Sequence, residues 1–224
     1  FLLFVINMKN DSTNFFSTTL MYWHQHQNKR VMPWKGIKDP YKIWLSEIIL
    51  QQTRVDQGLK YYEKFVAQYA TIFKLAAAKD EDVFKLWEGL GYYNRCKNLL
   101  FTARLIVNEM NGIFPTTYND LLGLKGVGSY TAAAIASFAY NQPYAVVDGN
   151  VFRVLARFFG NATATDTAHG KQLFTQLANE VLDKKEPDQF NQAIMDFGAT
   201  ICKPALPNCS TCGLNKKCIA FANG

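Results

Sequence analysis

The sequence has no apolar run long enough to cross a bilayer, no low-complexity linker, no long internal repeat and no stretch that alternates convincingly as a strand. These absences argue against a membrane-spanning or β-sheet protein. The opening Phe1-Leu2-Leu3-Phe4-Val5-Ile6-Asn7 is too short for a span and has no basic residue ahead of it, so neither an anchor nor a secretory signal is expected. Met8 is then expected as the start, residues 1–7 as an unstructured extension, and the cytoplasm as the compartment. Without an export signal the five cysteines are expected reduced, and metal ligation outranks disulfides.

What is present is ample for a core. Of 224 residues 49% are apolar and 14% aromatic, enough for one large domain or two small ones. Lys+Arg 24 against Asp+Glu 18 leaves a net charge of +6 and a pI near 9.0, which favours a polyanionic partner without naming it. Segment 14–27, with Phe15, Phe16, Leu20 and Trp23 in register, predicts an amphipathic helix. Asp39-Pro40 predicts an N-cap followed by proline in the first turn of a helix that runs from Tyr41 to Gln52. Further helices are expected over 55–69, 71–77, 81–88, 92–110, 117–123, 129–140, 149–159, 167–183 and 187–201, joined by short turns at Gly89, Gly91, Gly112, Pro115, Gly123 and Gly160. The class is all-α.

Three constellations could carry chemistry. Gly126-Val127-Gly128 is expected to turn at positive φ before a helix, pointing backbone N–H groups outward. With no lysine or arginine in those three positions, recognition there rests on main-chain dipoles, which suits repeating phosphates; a plain turn between packed helices gives the same pattern. Glu47 lies within the apolar run Trp44, Leu45, Ile48, Ile49, where a carboxylate needs a partner or a cavity, and a bridge between helices satisfies it as well as catalysis does. Cys202, Cys209, Cys212 and Cys218 are separated by six, two and five residues, so four sulfurs can converge on one centre. Zinc and iron–sulfur centres both use four thiolates, and the single Cys-x-x-Cys knuckle leans toward a cluster. Lys203, Lys216 and Lys217 in that loop either reach a phosphate backbone or balance the charge of the centre. Cys96 reads as a small buried hydrophobe.

Trp44 to Thr53, Gly89-Leu90-Gly91-Tyr92-Tyr93, Gly126-Val127-Gly128, Val147-Asp148-Gly149-Asn150-Val151 and the four-cysteine loop, in this order, resemble MutY-type adenine DNA glycosylases of the helix-hairpin-helix superfamily from about Trp23 onward. The resemblance implies a two-lobed fold, a six-helix lobe over 30–141 and a 4Fe-4S cluster lobe from 8–29 plus 142–224, with hairpin and Asp148 near the cleft where they meet. It implies removal of adenine mispaired with 8-oxoguanine or guanine in double-stranded DNA, by a monomer that associates with the nucleoid when bound. Glu47, its pKa raised by an apolar site, then protonates the base at N7, and Asp148 stabilises or traps the oxocarbenium-like sugar. Tyr130 stands where endonuclease III-type enzymes carry a lysine, which predicts base removal with little strand cleavage; Tyr130 and Asn150 position Asp148, the sugar or water. Gln52 and Tyr92 are expected in the base stack, Trp34, Lys35 and Gln192 about the adenine, and Lys203 on DNA. Cys202, Cys209, Cys212 and Cys218 hold the cluster. The chain ends six residues after Cys218, so the family's Nudix-like domain is not expected in it and the preference for 8-oxoguanine is left open. A G/T mismatch thymine glycosylase and a non-catalytic DNA-binding module are the two alternatives.

Overall fold

The computed structural model describes residues 2–224, with side chains from Asp11 onward. Twelve helices follow one another among the described residues: α1 Leu2–His26, α2 Pro40–Leu50, α3 Val55–Gln68, α4 Ile72–Ala76, α5 Asp80–Trp87, α6 Tyr93–Met110, α7 Tyr118–Leu122, α8 Ser129–Tyr140, α9 Gly149–Phe159, α10 Ala168–Val181, α11 Pro187–Thr200 and α12 Ile219–Ala222. Single 3-10 turns at Cys209–Thr211 and Asn215–Lys217 complete them, and no strand occurs among the described residues. None of these helices is long and apolar enough to cross a membrane.

The chain divides into two units, one of Gly36–Tyr140 and one of the segment up to Lys35 with Asn141–Gly224. Residues 30–35, expected with the first unit, belong to the second because Arg30 and Lys35 both pair with Asp196 of α11. Residues 2–7, expected to be an unstructured extension, form the first turns of α1; neither proline nor glycine interrupts the sequence from Leu2 to His26, so nothing there stops the helix.

In the unit 36–140, α2 starts as expected: Asp39 accepts from Tyr41 N at 3.0 Å and Lys42 N at 3.4 Å, and Pro40 fills a first-turn position that needs no N–H. The helix is buried on nearly every side and packs against the alanine-rich α8, in which Ala132, Ala133, Ala134 and Ala136 are all buried. Trp44 packs edge-on against Phe114, and Phe65 against Trp87. In the other unit the apolar faces of α1, α9, α10 and α11 close on Phe16, Leu20, Trp23, Phe158, Phe174 and Phe197. Each such side chain, fully buried, contributes roughly 1.5–3 kcal/mol. Lys217 pairs with Asp11 and lies 5.1 Å from the Phe15 ring centroid, tying the cysteine loop to α1.

Candidate active site and nucleic-acid interface

Glu47 sits in the third turn of α2, 7% exposed, as its apolar neighbours require. Beyond the helix the chain turns sharply, and Gln52 takes φ 54, a left-handed conformation that costs a residue with a Cβ. Tyr92 does the same at φ 48 just before α6. Both side chains are exposed, Tyr92 by 64%, and with Gln51, Tyr93, Asn94 and Arg95 they border an open hollow of about 430 Å³. The structure therefore brings these two predicted contact residues together.

The turn between α7 and α8 departs in one detail from expectation. Only Gly126 has positive φ (83°), and a side chain there would also meet Asn98 Cβ at 2.9 Å. Gly128 is not left-handed; a Cβ there would meet nothing within 4 Å, so its value is the clear space it leaves before the N–H groups of α8, the first of which have no acceptor within the helix. Val127 is buried as the anchor, Thr102 Oγ1 donates to Lys125 O at 2.9 Å, and Gln51 Nε2 reaches Gly126 O at 3.5 Å and Thr131 Oγ1 at 3.4 Å. Tyr130 falls in the first turn of α8, half-buried.

In the second unit Asp148 is the N-cap of α9. Its Oδ1 accepts from Asn150 N and Val151 N, each at 2.8 Å, and its Oδ2 from Asn150 Nδ2 at 2.8 Å. Asn150 is held in turn by Arg153 Nη2, which donates to its Oδ1 at 2.8 Å and to Gly198 O at 2.7 Å. Gly198 has to be glycine, because a Cβ would stand 2.7 Å from Asn150 Cβ and 3.1 Å from its carbonyl. Arg153 Nε donates to Cys202 O at 2.9 Å. A continuous chain of hydrogen bonds thus joins the Asp148 carboxylate to the cysteine loop through Asn150 and Arg153, and Arg153 carried no motif signal.

Lys35 and Gln192 do meet, but on Asp196, a residue that lies in no sequence motif. Its carboxylate is fully buried and accepts from Asn28 Nδ2 at 2.8 Å, Arg30 Nη1 at 2.9 Å, Gln192 Nε2 at 3.2 Å and the ammonium of Lys35. Burial lowers the Lys35 pKa, and the bond to Asp196 opposes that shift. Trp34 is half-buried in the turn just before Lys35.

The four cysteines of the loop are free and half-buried. Burial pushes the Cys212 thiol up to about 11, the charges of Cys202, Cys218 and Cys209 add to it, and the Cys218 thiol is raised likewise. Arg157 Nη1 lies 3.4 Å from Cys202 Sγ and donates to Lys203 O at 2.7 Å. Among the described residues no three His, Cys, Asp or Glu side chains are placed to hold one metal ion. The loop holds the four cysteines with an arginine beside Cys202, and does not place three of them to hold one ion. Cys96 is buried in α6, as expected of a small hydrophobe.

Helical throughout the described residues, with a glycine turn feeding one helix N-terminus and an aspartate capping another, the chain has the features of a helix-hairpin-helix protein. Residues 45–180 match the HhH-GPD superfamily base excision DNA repair protein, so the chain belongs to that family. It is 36% identical over 212 residues to the adenine DNA glycosylase of Buchnera aphidicola subsp. Baizongia pistaciae, covering 95% of this chain and 60% of that protein. With the adenine DNA glycosylase of Homo sapiens it shares 41% over 215 residues, covering 92% of this chain and 39% of the human one. The chain therefore spans less than two thirds of the length of these relatives. Among solved structures, a thermostable thymine-DNA glycosylase superposes with a TM-score of 0.87 at 30% identity, over 96% of this chain and 99% of that one.

Proposed function

We propose that this chain removes adenine mispaired with 8-oxoguanine or guanine from duplex DNA by hydrolysing the N-glycosidic bond, leaving the strand whole. The similarity to adenine DNA glycosylases over more than nine tenths of this chain carries the reading. The buried Glu47 and the capped Asp148 fit the two carboxylate roles it requires.

In this reading the adenine leaves the stack and Glu47 delivers a proton to N7, so that the electrons of the breaking bond depart with a neutral base. Asp148, fixed by three N–H donors, stabilises or traps the sugar cation. Water adds hydroxide to C1′ and its remaining proton returns to the Glu47 carboxylate, giving an abasic site and free adenine. Tyr130 cannot form a Schiff base, so the abasic strand is not cleaved; with Asn150 it helps position Asp148, the sugar or the water. Gln52 and Tyr92 fill the stack, and Gly126, Val127 and Gly128 present N–H groups to the phosphates. Trp34, Lys35 and Gln192 lie about the adenine, the last two through their hold on Asp196, and Lys203 contacts the backbone of the DNA.

Cys202, Cys209, Cys212 and Cys218 would hold a 4Fe-4S cluster. Four thiolates shared by a centre of several irons need not converge on a point, and such a cationic centre would offset the cost of ionising buried thiols. Held by these four residues, a cluster would cross-link the loop, away from the residues proposed to act on the base.

The test is a labelled duplex carrying A opposite 8-oxoguanine, A opposite G or T opposite G, followed by alkali. Product on the adenine strand only after alkali supports the proposal. Product on the thymine strand favours the second reading, to which the thymine-DNA glycosylase superposition points; binding without product leaves a DNA-binding module.

A further inference from the structure

Two exposed loops of the unit 36–140, the one after α2 and the one before α6, are reached by a single side chain. Arg95 Nη1 stands 3.2 Å from Ile48 O, 3.1 Å from Ile49 O and 3.3 Å from Thr53 Oγ1, and it also donates to Gln51 O. Its two N–H bonds are shared among these four oxygens. Nη2 donates to Leu90 O at 3.2 Å, and the backbone N–H of Arg95 to Tyr92 O at 2.8 Å. The carbonyls of Ile48 and Ile49 close α2 and that of Gln51 follows it, all without a partner further along the helix, so the guanidinium acts as a cationic C-terminal cap.

The second loop is held to match. Tyr61 Oη donates to Glu88 O at 2.6 Å, Gln57 Nε2 to Gly89 O at 3.1 Å and Trp87 Nε1 to Gly91 O at 2.9 Å, which with Arg95 satisfies five carbonyls in succession. The guanidinium carbon lies 5.3 Å from the ring centroids of both Trp87 and Tyr92. At the tip of each loop a residue with a side chain, Gln52 or Tyr92, takes left-handed φ, a conformation that persists only where the surroundings over-determine it. Arg95 Nε, meanwhile, is buried without a partner, so the side chain is placed for what its two terminal nitrogens do.

We propose that Arg95 is a positioning residue that locks the loops of Gln52 and Tyr92 into one arrangement, so that both side chains meet DNA already set instead of being ordered on binding. This rests on reading those two residues as the groups that fill the base stack. A lysine at 95 keeps the charge but lacks the fork that serves two loops at once.

The test compares Arg95→Lys with wild type by amide hydrogen exchange on the free protein, and by single-turnover base release in the wild-type and the Gln52→Ala/Tyr92→Ala backgrounds. Exchange is expected to rise about tenfold or more in both loops while the amides of α8 and α9 keep their wild-type rates. Base release is expected to fall about tenfold in the wild-type background and by less than about twofold once the two side chains are gone. Exchange that rises in fewer than both loops or throughout the unit overturns the proposal, as does the same loss of rate in both backgrounds. If wild type releases no base at all, the functional reading fails, and the exchange measurement alone still decides the role of Arg95.

Discussion

Asp148→Asn separates the proposed chemistry from folding. Asparagine caps a helix as well as aspartate does, so its side-chain oxygen can keep the bonds from Asn150 N and Val151 N. What it loses is the bond from Asn150 Nδ2, where two NH2 groups would face each other, at about 1 kcal/mol. For a chain of this size that lowers Tm by about 2–4 °C. In the proposed reaction the charge matters far more. A carboxylate about 4 Å from a unit positive charge, at an effective dielectric near 20, is worth roughly 4 kcal/mol, or about a thousandfold in rate. Single-turnover base release beside thermal unfolding monitored by circular dichroism reads both quantities. A folded variant that keeps its rate within about tenfold of wild type would refute the electrostatic reasoning, and a Tm falling by much more would show that Asp148 is mainly structural.

Other changes follow from the same geometry. Asp196→Asn leaves the Arg30 and Lys35 charges without their buried counterion and should cost about 3 kcal/mol in urea unfolding; a loss under about 1 kcal/mol would mean that solvent screens both cations. Tyr130→Lys should gain an adduct trapped by borohydride that wild type does not form, whereas trapping by the wild-type chain would contradict the assignment. Burial raises the pKa of Tyr41 and pushes Tyr62 up to about 12, with Tyr69 and Tyr140 also raised. The folded chain then holds these protons more tightly than the unfolded one, so the associated stability is complete below pH ~10 and disappears as pH rises toward and beyond 12. The last part of the tyrosinate absorbance, that of the buried rings, and the helical signal should change together over that window; complete ionisation of all eleven tyrosines in a fully helical protein would sink the prediction.

The helices were legible because their signals are local. Asp39-Pro40 starts α2 as read, and the apolar period of α9 (Val151, Val154, Leu155, Phe158) marks its buried face. The positions of Gln52 and Tyr92 were legible through the motif, though their left-handed backbone was not, since neither is the glycine that usually signals it. Asp196 looks like an ordinary charge on a helix; only the fold brings Asn28, Arg30 and Lys35 across more than 160 residues of sequence to surround it. Arg95 and Arg153 were missed for a related reason. Their partners are mostly backbone carbonyls, which leave no mark in a sequence.

The most direct measurement is of what leaves the DNA. A duplex with one adenine opposite 8-oxoguanine is incubated with the purified chain, and the small-molecule fraction is identified by mass spectrometry. The account predicts free adenine in step with abasic sites, and a strand that stays whole until alkali is added. Thymine released from a G·T duplex, or DNA bound tightly with every base in place, would contradict it.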